Sequence, residues 1–198
     1  LIGESFMSGQ RLHPSKKNKL FAEKSFESLK PAELLKDLNL NKGDTFIDIG
    51  AGNGFFSLSG AEIVGDSGKV YSVDVEIDML LDLKHRAQKE GLADRIEICK
   101  SDNNDANLHE KADFMLFAYL FHEVEEKEEF LDNYFKFLKE GARVAFVEWD
   151  PATREEGPPL HHRIDSEDLR AMLKKRNIKD IEFRDIDYNS YIVSGIMA

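Results

Sequence analysis

The chain has 198 residues, 41% of them hydrophobic and 33% charged, with a formal net charge of −11. That length carries one substantial core rather than two comfortable domains. No apolar run reaches the length of a membrane span, and the negative balance disfavours broad binding to polyanions, nucleic acid included.

Residues 1–14 read as an irregular arm with Gly3, Gly9 and Pro14, and from Ser15 a helical pattern runs through Leu20, Phe21, Phe26 and Leu29. An arm and helix over residues 1–30, followed by a single domain over 31–198, is the expected organisation. Arg11, Lys16, Lys17, Lys19 and Lys24 make the first segment basic without interleaved aromatics, so it reads as a solvated helix face rather than a nucleic-acid platform. No signal-peptide pattern opens the numbered sequence. Cys99 is the only cysteine, which leaves no intrachain disulfide and no thiol cluster for zinc. A cytoplasmic location is expected, with Cys99 as a small buried hydrophobe.

Pro31 suits the first turn of a short helix, Ala32 to Leu38, and Asn41 to Asp44 is a turn. A strand over Thr45 to Ile49 precedes a helix over Phe55 to Val64, which Gly65-Asp66-Ser67-Gly68 ends. A second strand covers Lys69 to Asp74, and Ile77, Leu80, Leu81, Leu83 and Ala87 give helical spacing up to Gly91, a C-cap. Strands follow at Ile96 to Lys100 and Phe114 to Ala118. An amphipathic helix near Lys127 to Leu138 is expected to end at Gly141, before a strand over Arg143 to Trp149. A Pro-rich loop, Pro151 to Arg163, leads to Ser166 as N-cap of a helix near Glu167 to Arg176. Two tail strands, Ile181 to Ile186 and Tyr191 to Ile196, complete the chain. This alternation predicts a Rossmann-like α/β fold: a doubly wound, mostly parallel seven-stranded sheet with a C-terminal antiparallel hairpin and helices on both faces.

Four strand ends carry chemistry, the fourth in Ala112 to Val124, where a buried strand leads into an aromatic, His-containing segment. Asp48-Ile49-Gly50-Ala51-Gly52-Asn53-Gly54 runs from an apolar strand through Gly-x-Gly-x-Gly into a helix. Glycine permits positive φ and close approach of a ligand, and the helix start offers free N–H groups. The dinucleotide fingerprint wants a further glycine where Phe55 stands. Asp74 falls about 20 residues beyond the loop, where a carboxylate can accept from both ribose hydroxyls or cap the next helix. Ser101, Asp102 and Asn103 close the third strand in a polar cluster that also reads as an Asx-rich loop.

Asp48 to Gly54 resembles the first motif of class I S-adenosylmethionine-dependent methyltransferases. The resemblance extends over about residues 30 to 197, strongly in the cofactor half and weakly in the acceptor half. It implies S-adenosylmethionine as cofactor, S-adenosylhomocysteine as product and a small-molecule acceptor. The glycine loop would pass beneath the methionine part, with no pyrophosphate bound. Asp74 would meet the ribose, Asp102 the adenine amino group and Asn103 the ring, with Asp105 a competing alignment. The full expected contact set is Asp48, Gly50, Ala51, Gly52, Asn53, Gly54, Asp74, Val75, Met79, Ser101, Asp102, Asn103 and Ala118. The first 30 residues would cover this site, and the tail hairpin is what the family adds to a Rossmann-like sheet. An NAD(P)-dependent oxidoreductase and a non-catalytic cofactor-binding subunit are the alternatives.

A general base helps where the acceptor is a hydroxyl or protonated amine. Candidates near the rim are His122, Glu123, Glu148, Asp150, His161 and His162, with His122 preferred because its strand end should face the methyl group. Its other reading is a histidine that shapes the pocket. Tyr119, Phe121, Trp149, Phe6 and Phe21 would line an acceptor cavity or the core. His161 and His162 lie in a loop long enough to act as a lid. Their spacing from His122 and Glu148 is not specific for a metal, and none is assigned. No sequence signal bears on oligomeric state.

Overall fold

Runs such as Thr45 to Ile49 and Ala112 to Ala118 are apolar on both faces, as parallel strands buried between helices must be. In the computed structural model they occupy the centre of the sheet. The structure describes residues 29–102, 108–152, 157–187 and 189–198. The expected N-terminal arm and helix, with Phe6 and Phe21, lie outside the described residues, as do Asn103 and Asp105.

The elements are α1 (Pro31–Asp37), β1 (Thr45–Ile49), α2 (Phe55–Val64), β2 (Lys69–Asp74), α3 (Ile77–Glu90), β3 (Ile96–Lys100), β4 (Ala112–Ala118), α4 (Lys127–Phe135), β5 (Leu138–Trp149), α5 (Ser166–Lys174), β6 (Ile178–Asp185) and β7 (Ser190–Met197). They build one seven-stranded sheet in the order β3-β2-β1-β4-β5-β7-β6. Strands β1 to β5 pair in parallel, and β7 inserts antiparallel between β5 and β6. The α/β fold and its C-terminal hairpin are as expected. The chain reverses direction of winding at β1, which pairs β2 on one side and β4 on the other. A crevice opens at such a point beyond the carboxyl ends of the strands.

One face of the sheet buries Ile47, Ile49, Met115, Phe117, Val144 and Phe146 against Phe130 and Tyr134 of α4 and Leu169 and Leu173 of α5. The rings of Phe117 and Phe146 stack 4.5 Å apart. On the other face Phe46 and Phe114 meet edge to face at 5.5 Å, beneath α2.

Several expectations are corrected. Helix α4 stops at Phe135, and Gly141 does not end it. The carbonyl of Phe137 accepts the Ala112 N–H at 2.7 Å, which draws the chain into the sheet at once. Gly141, at φ 77°, lies inside β5, where the register shifts between Ala112↔Leu138 and Phe114↔Arg143. The N-cap of α5 is Asp165, whose carboxylate accepts the Glu167 N–H at 2.8 Å; Ser166 is the first helical residue. Cys99 is only half-buried because β3 is an edge strand, and burial pushes its thiol up to about 11. The outermost strand, β6, exposes Lys179, Asp180, Glu182, Arg184 and Asp185. It breaks register between Lys179 and Glu182, with Asp180 at φ 48°.

Among the described residues, no helix is long and apolar enough to cross a membrane.

Gly60 shows how tightly α2 is seated: an added Cβ would lie 2.5 Å from the Phe46 ring. Alanine in a helix ordinarily gains up to about 1 kcal/mol over glycine, but overpacking costs about 1–3 kcal/mol. Phe46 is fully buried and held by Phe114, so it cannot yield. Gly60→Ala should therefore lower the unfolding free energy by about 1 kcal/mol or more, read by urea denaturation.

Candidate active site

The glycine loop hangs from β2. The N–H groups of Gly50 and Ala51 both donate to the Val73 carbonyl, at 2.8 and 2.9 Å. Gly50, Gly52 and Gly54 have φ of 76°, 53° and 90°, but for different reasons. A Cβ on Gly54 would strike Leu83 of α3 at 2.5 Å, and one on Gly50 would press Leu120 at 3.0 Å. Among the described residues, a Cβ on Gly52 would meet nothing within 4 Å. Two glycines therefore serve packing, and the middle one borders open space. Arg86 of α3 donates to the Asn53 carbonyl at 2.9 Å and pins the outer end of the loop.

Asp74, at the end of β2, is half-buried. Its Oδ2 accepts the Gly52 N–H and its Oδ1 the Glu76 N–H, each at 2.8 Å. It caps no helix, since Glu76 holds the N-cap position of α3. Each carboxylate oxygen can accept more than one bond, so this geometry is compatible with further donors. Val75 is exposed and Met79 half-buried beside it. Ser101 joins the same rim through its backbone, donating to the Asp74 carbonyl at 2.9 Å. Its hydroxyl is buried against the Tyr134 hydroxyl at 3.1 Å. Asp102 is exposed at the end of β3.

The Asp48 side chain lies beneath the loop rather than on the rim. It is 1% exposed. Its carboxylate accepts the Ser57 hydroxyl at 2.6 Å and the Ser57 backbone N–H, while the Ser72 hydroxyl donates to Ser57 at 2.7 Å. Burial pushes its pKa up to about 7, against the lowering effect of the Ser57 hydrogen bond and with a further upward push from Asp74. This carboxylate occupies part of the N-terminus of α2. A dinucleotide pyrophosphate uses such an end, and here it would meet an internal acid.

Beyond β4, half-buried Ala118 leads into Tyr119, a non-glycine residue at φ 51°. Its N–H still reaches the Val147 carbonyl at 2.8 Å, its ring lies 4.8 Å from that of Trp149, and its hydroxyl donates to Ser190 at 2.8 Å. The turn sends the chain back across β5 as a short 3-10 segment, Phe121–Glu123. His122 thereby meets Glu148, Nδ1 to Oε2 at 2.8 Å. His122 is 8% exposed and Glu148 0%.

Of the other candidates only Glu123 lies beside this pair. Glu123 is mostly exposed, with its Oε1 3.8 Å from His122 Nε2. Asp150 accepts the Ala152 N–H at 2.7 Å. His161 and His162 are exposed and pack edge to face against each other. Among the described residues no group of three or more His, Cys, Asp or Glu side chains could hold a metal ion.

A family model described as "Methyltransferase domain" matches residues 40–187. The chain belongs to the methyltransferase domain family. A crystal structure of a SAM-dependent methyltransferase from Aquifex aeolicus superposes with a TM-score of 0.84 at 28% identity, covering 95% of this chain and all of that one. A probable cobalt-precorrin-6B C(15)-methyltransferase (decarboxylating) of Pyrobaculum calidifontis is 36% identical over 66 residues, 33% of this chain and 34% of the relative. The ubiquinone/menaquinone biosynthesis C-methyltransferase UbiE of Salmonella paratyphi B is 23% identical over 158 residues, 79% of this chain and 61% of that protein. The match thus spans about a third of the length of the first relative and under two thirds of the second. The family implies S-adenosylmethionine as cofactor. The residues present fit it: open space over Gly52, a carboxylate at the end of β2, and apolar Val75 and Met79 beside them. The Asp48 carboxylate at the α2 N-terminus argues the same way, against a dinucleotide.

Reading motifs alone missed the Ser57–Ser72 hydroxyl pair, Arg86, the Tyr119 backbone and the Tyr134 hydroxyl. The first two carried a usable signal: Ser57 follows Gly54 at three residues and Arg86 follows Leu83 at three, which places each on the helix side that already faces the loop.

Asp48 makes stability depend on pH. Unfolded, it titrates near 3.8; folded, near 7. The folded state therefore holds the extra proton, so this contribution is complete below pH 3.8 and is lost as pH rises through 7. Relative to Asp48→Asn, the unfolding free energy of the native chain should fall as pH rises across that window. The slope should reach up to about 1.4 kcal/mol per unit in denaturant titrations.

Proposed function

We propose that this domain binds S-adenosylmethionine across the carboxyl ends of β1, β2 and β3 and transfers its methyl group to a small organic acceptor. The carrying observation is the junction of Gly52 and Asp74: a backbone position bordering open space, bonded at 2.8 Å to a carboxylate at the end of the neighbouring strand. Asp74 accepts the ribose hydroxyls, Gly50 to Gly54 underlie the methionine part, and Val75, Met79 and the Ser101–Asp102 segment flank the adenine. Ala118 and the turn to His122 border the methyl group.

When bound, the cofactor supplies a methyl group already activated on a sulfonium. The chain has to orient the acceptor in line, exclude water and, where needed, take a proton. His122 is the residue for that last task. Relatives named for cobalt-precorrin-6B and for ubiquinone/menaquinone biosynthesis favour a small organic acceptor, and the net charge of −11 disfavours nucleic acid. A cytoplasmic location fits the single cysteine.

Calorimetric titration of S-adenosylmethionine and S-adenosylhomocysteine, beside NADH, tests the reading. Both sulfur ligands should bind and NADH should not, and Asp74→Ala should weaken binding by about 2 kcal/mol, roughly 30-fold. Equal binding by native chain and variant would overturn the ribose contact. Preference for NADH would overturn the cofactor.

Gly52→Val separates the site from the fold. At φ 53° any side chain costs about 1–2 kcal/mol, but no neighbour among the described residues is struck. The variant should remain folded by circular dichroism and lose S-adenosylhomocysteine binding at least about 100-fold.

A further inference from the structure

We infer that Tyr134 is a positioning residue for base recognition: by holding the Ser101 hydroxyl inside the fold it turns Asp102 outward to the cofactor cleft, where that carboxylate selects a purine carrying an exocyclic amino group. This rests on the functional reading above and deepens it, because it names what separates adenine from a 6-oxo purine at the end of β3.

Tyr134 is out of keeping with its neighbours. Helix α4 buries it beside Phe130 and Phe117, with ring centroids 4.7 and 6.2 Å away, and only 2% of it is exposed. A phenylalanine would fill that layer without bringing in a polar atom. A hydroxyl taken out of water is costly unless it is bonded. The Tyr134 hydroxyl meets the Ser101 hydroxyl at 3.1 Å, on a residue that is itself only 4% exposed.

Ser101 is thereby fixed through both backbone and side chain. Its N–H donates to the Asp74 carbonyl at 2.9 Å, which carries the β2–β3 pairing one residue beyond Asp74↔Lys100. Strand alternation then places Ser101 on the same face as Cys99, which packs against the layer that holds Phe130 and Tyr134. Lys100 and Asp102 fall on the opposite face, and both are exposed. An exposed side chain gets no orientation from its own packing, so the direction of Asp102 is set by its buried neighbour. A chain free to roll at Ser101 would exchange the two faces. The same Asp74 carries the carboxylate bonded to Gly52 at 2.8 Å, so the sugar and base contacts are built on one junction.

The chemistry of selection follows. An ionised carboxylate accepts hydrogen bonds and donates none. Adenine presents it with an amino N–H. A 6-oxo purine presents a carbonyl oxygen in the same place, and acceptor would face acceptor. A site built to bond a ligand N–H rejects the analogue that lacks it. The ribose and the amino-acid part are the same in both ligands, so the ratio of their affinities isolates the base contact.

Calorimetric titration of S-adenosylhomocysteine beside S-inosylhomocysteine, in which a ring carbonyl replaces the amino group, tests the assignment. The native chain should favour the adenine ligand about ten-fold or more. Tyr134→Phe keeps the ring and removes only the hydroxyl; it should cut that ratio at least about five-fold, chiefly by weakening S-adenosylhomocysteine. Ser101→Ala should do the same, and the double variant should be no worse than either single one, as expected when one bond is removed from either end. A ratio that stays within about two-fold of native in both variants overturns the proposal, even where thermal stability falls, since it marks a hydroxyl pair that serves the fold alone. Equal weakening of both ligands overturns it as well, because that marks a loosened cleft. So does a native chain that binds the two ligands alike. If neither ligand binds the native chain, the functional reading itself fails and the proposal falls with it.

Discussion

The Asp48–Ser57–Ser72 chain of hydrogen bonds sets the geometry on which the cofactor half depends. Its three members come from β1, α2 and β2, and all are buried. A carboxylate away from water is costly unless it is bonded, so the three elements are held in the one arrangement that satisfies it. Displacing α2 or β2 would strand the Asp48 carboxylate without a partner. The glycine loop bridges two of these elements and hangs from the third through Val73. It is therefore rigid for reasons that lie beneath it.

The acceptor half is organised by a second buried acid on the opposite face. Asp48 faces α2, while Glu148 faces the layer that holds α4. Between them runs the end of β4, where Tyr119 takes a backbone conformation that side chains resist. Its hydrogen bonds to Val147 and Ser190 and its contact with Trp149 hold it there. The strained turn is what brings His122 back over β5 and against Glu148.

The sheet was legible in the sequence because its signals are local. Glycine and aspartate mark the strand ends, and apolar runs mark the parallel core. The places where reading failed are non-local. Gly141 looked like a helix terminator, but the Phe137 carbonyl pairs with Ala112, 25 residues away, and starts the strand early. Ser166 and Asp165 are both good caps, and only the backbone at Asp165 decides between them. Asp48 stands in the motif beside the glycines, yet strand alternation turns its side chain toward α2. The bond from Glu148 to His122 crosses 26 positions, with no spacing rule to announce it. The acceptor's identity is illegible for a related reason: shape in this half is made by contacts between distant turns, each free to vary.

The outer strand β6 has a consequence for how the protein behaves in a crowded solution. A sheet that ends in a long, flat, apolar strand invites another chain to add to it. Here an arriving strand would meet Lys179, Asp180, Glu182, Arg184 and Asp185 around the exposed ring of Phe183, and a break in register where Asp180 turns left-handed. At the other end β3 is five residues long and presents Glu97 and Lys100. Charge at both margins and the broken register of β6 work against strand addition there, while the strongly apolar centre of the sheet stays buried.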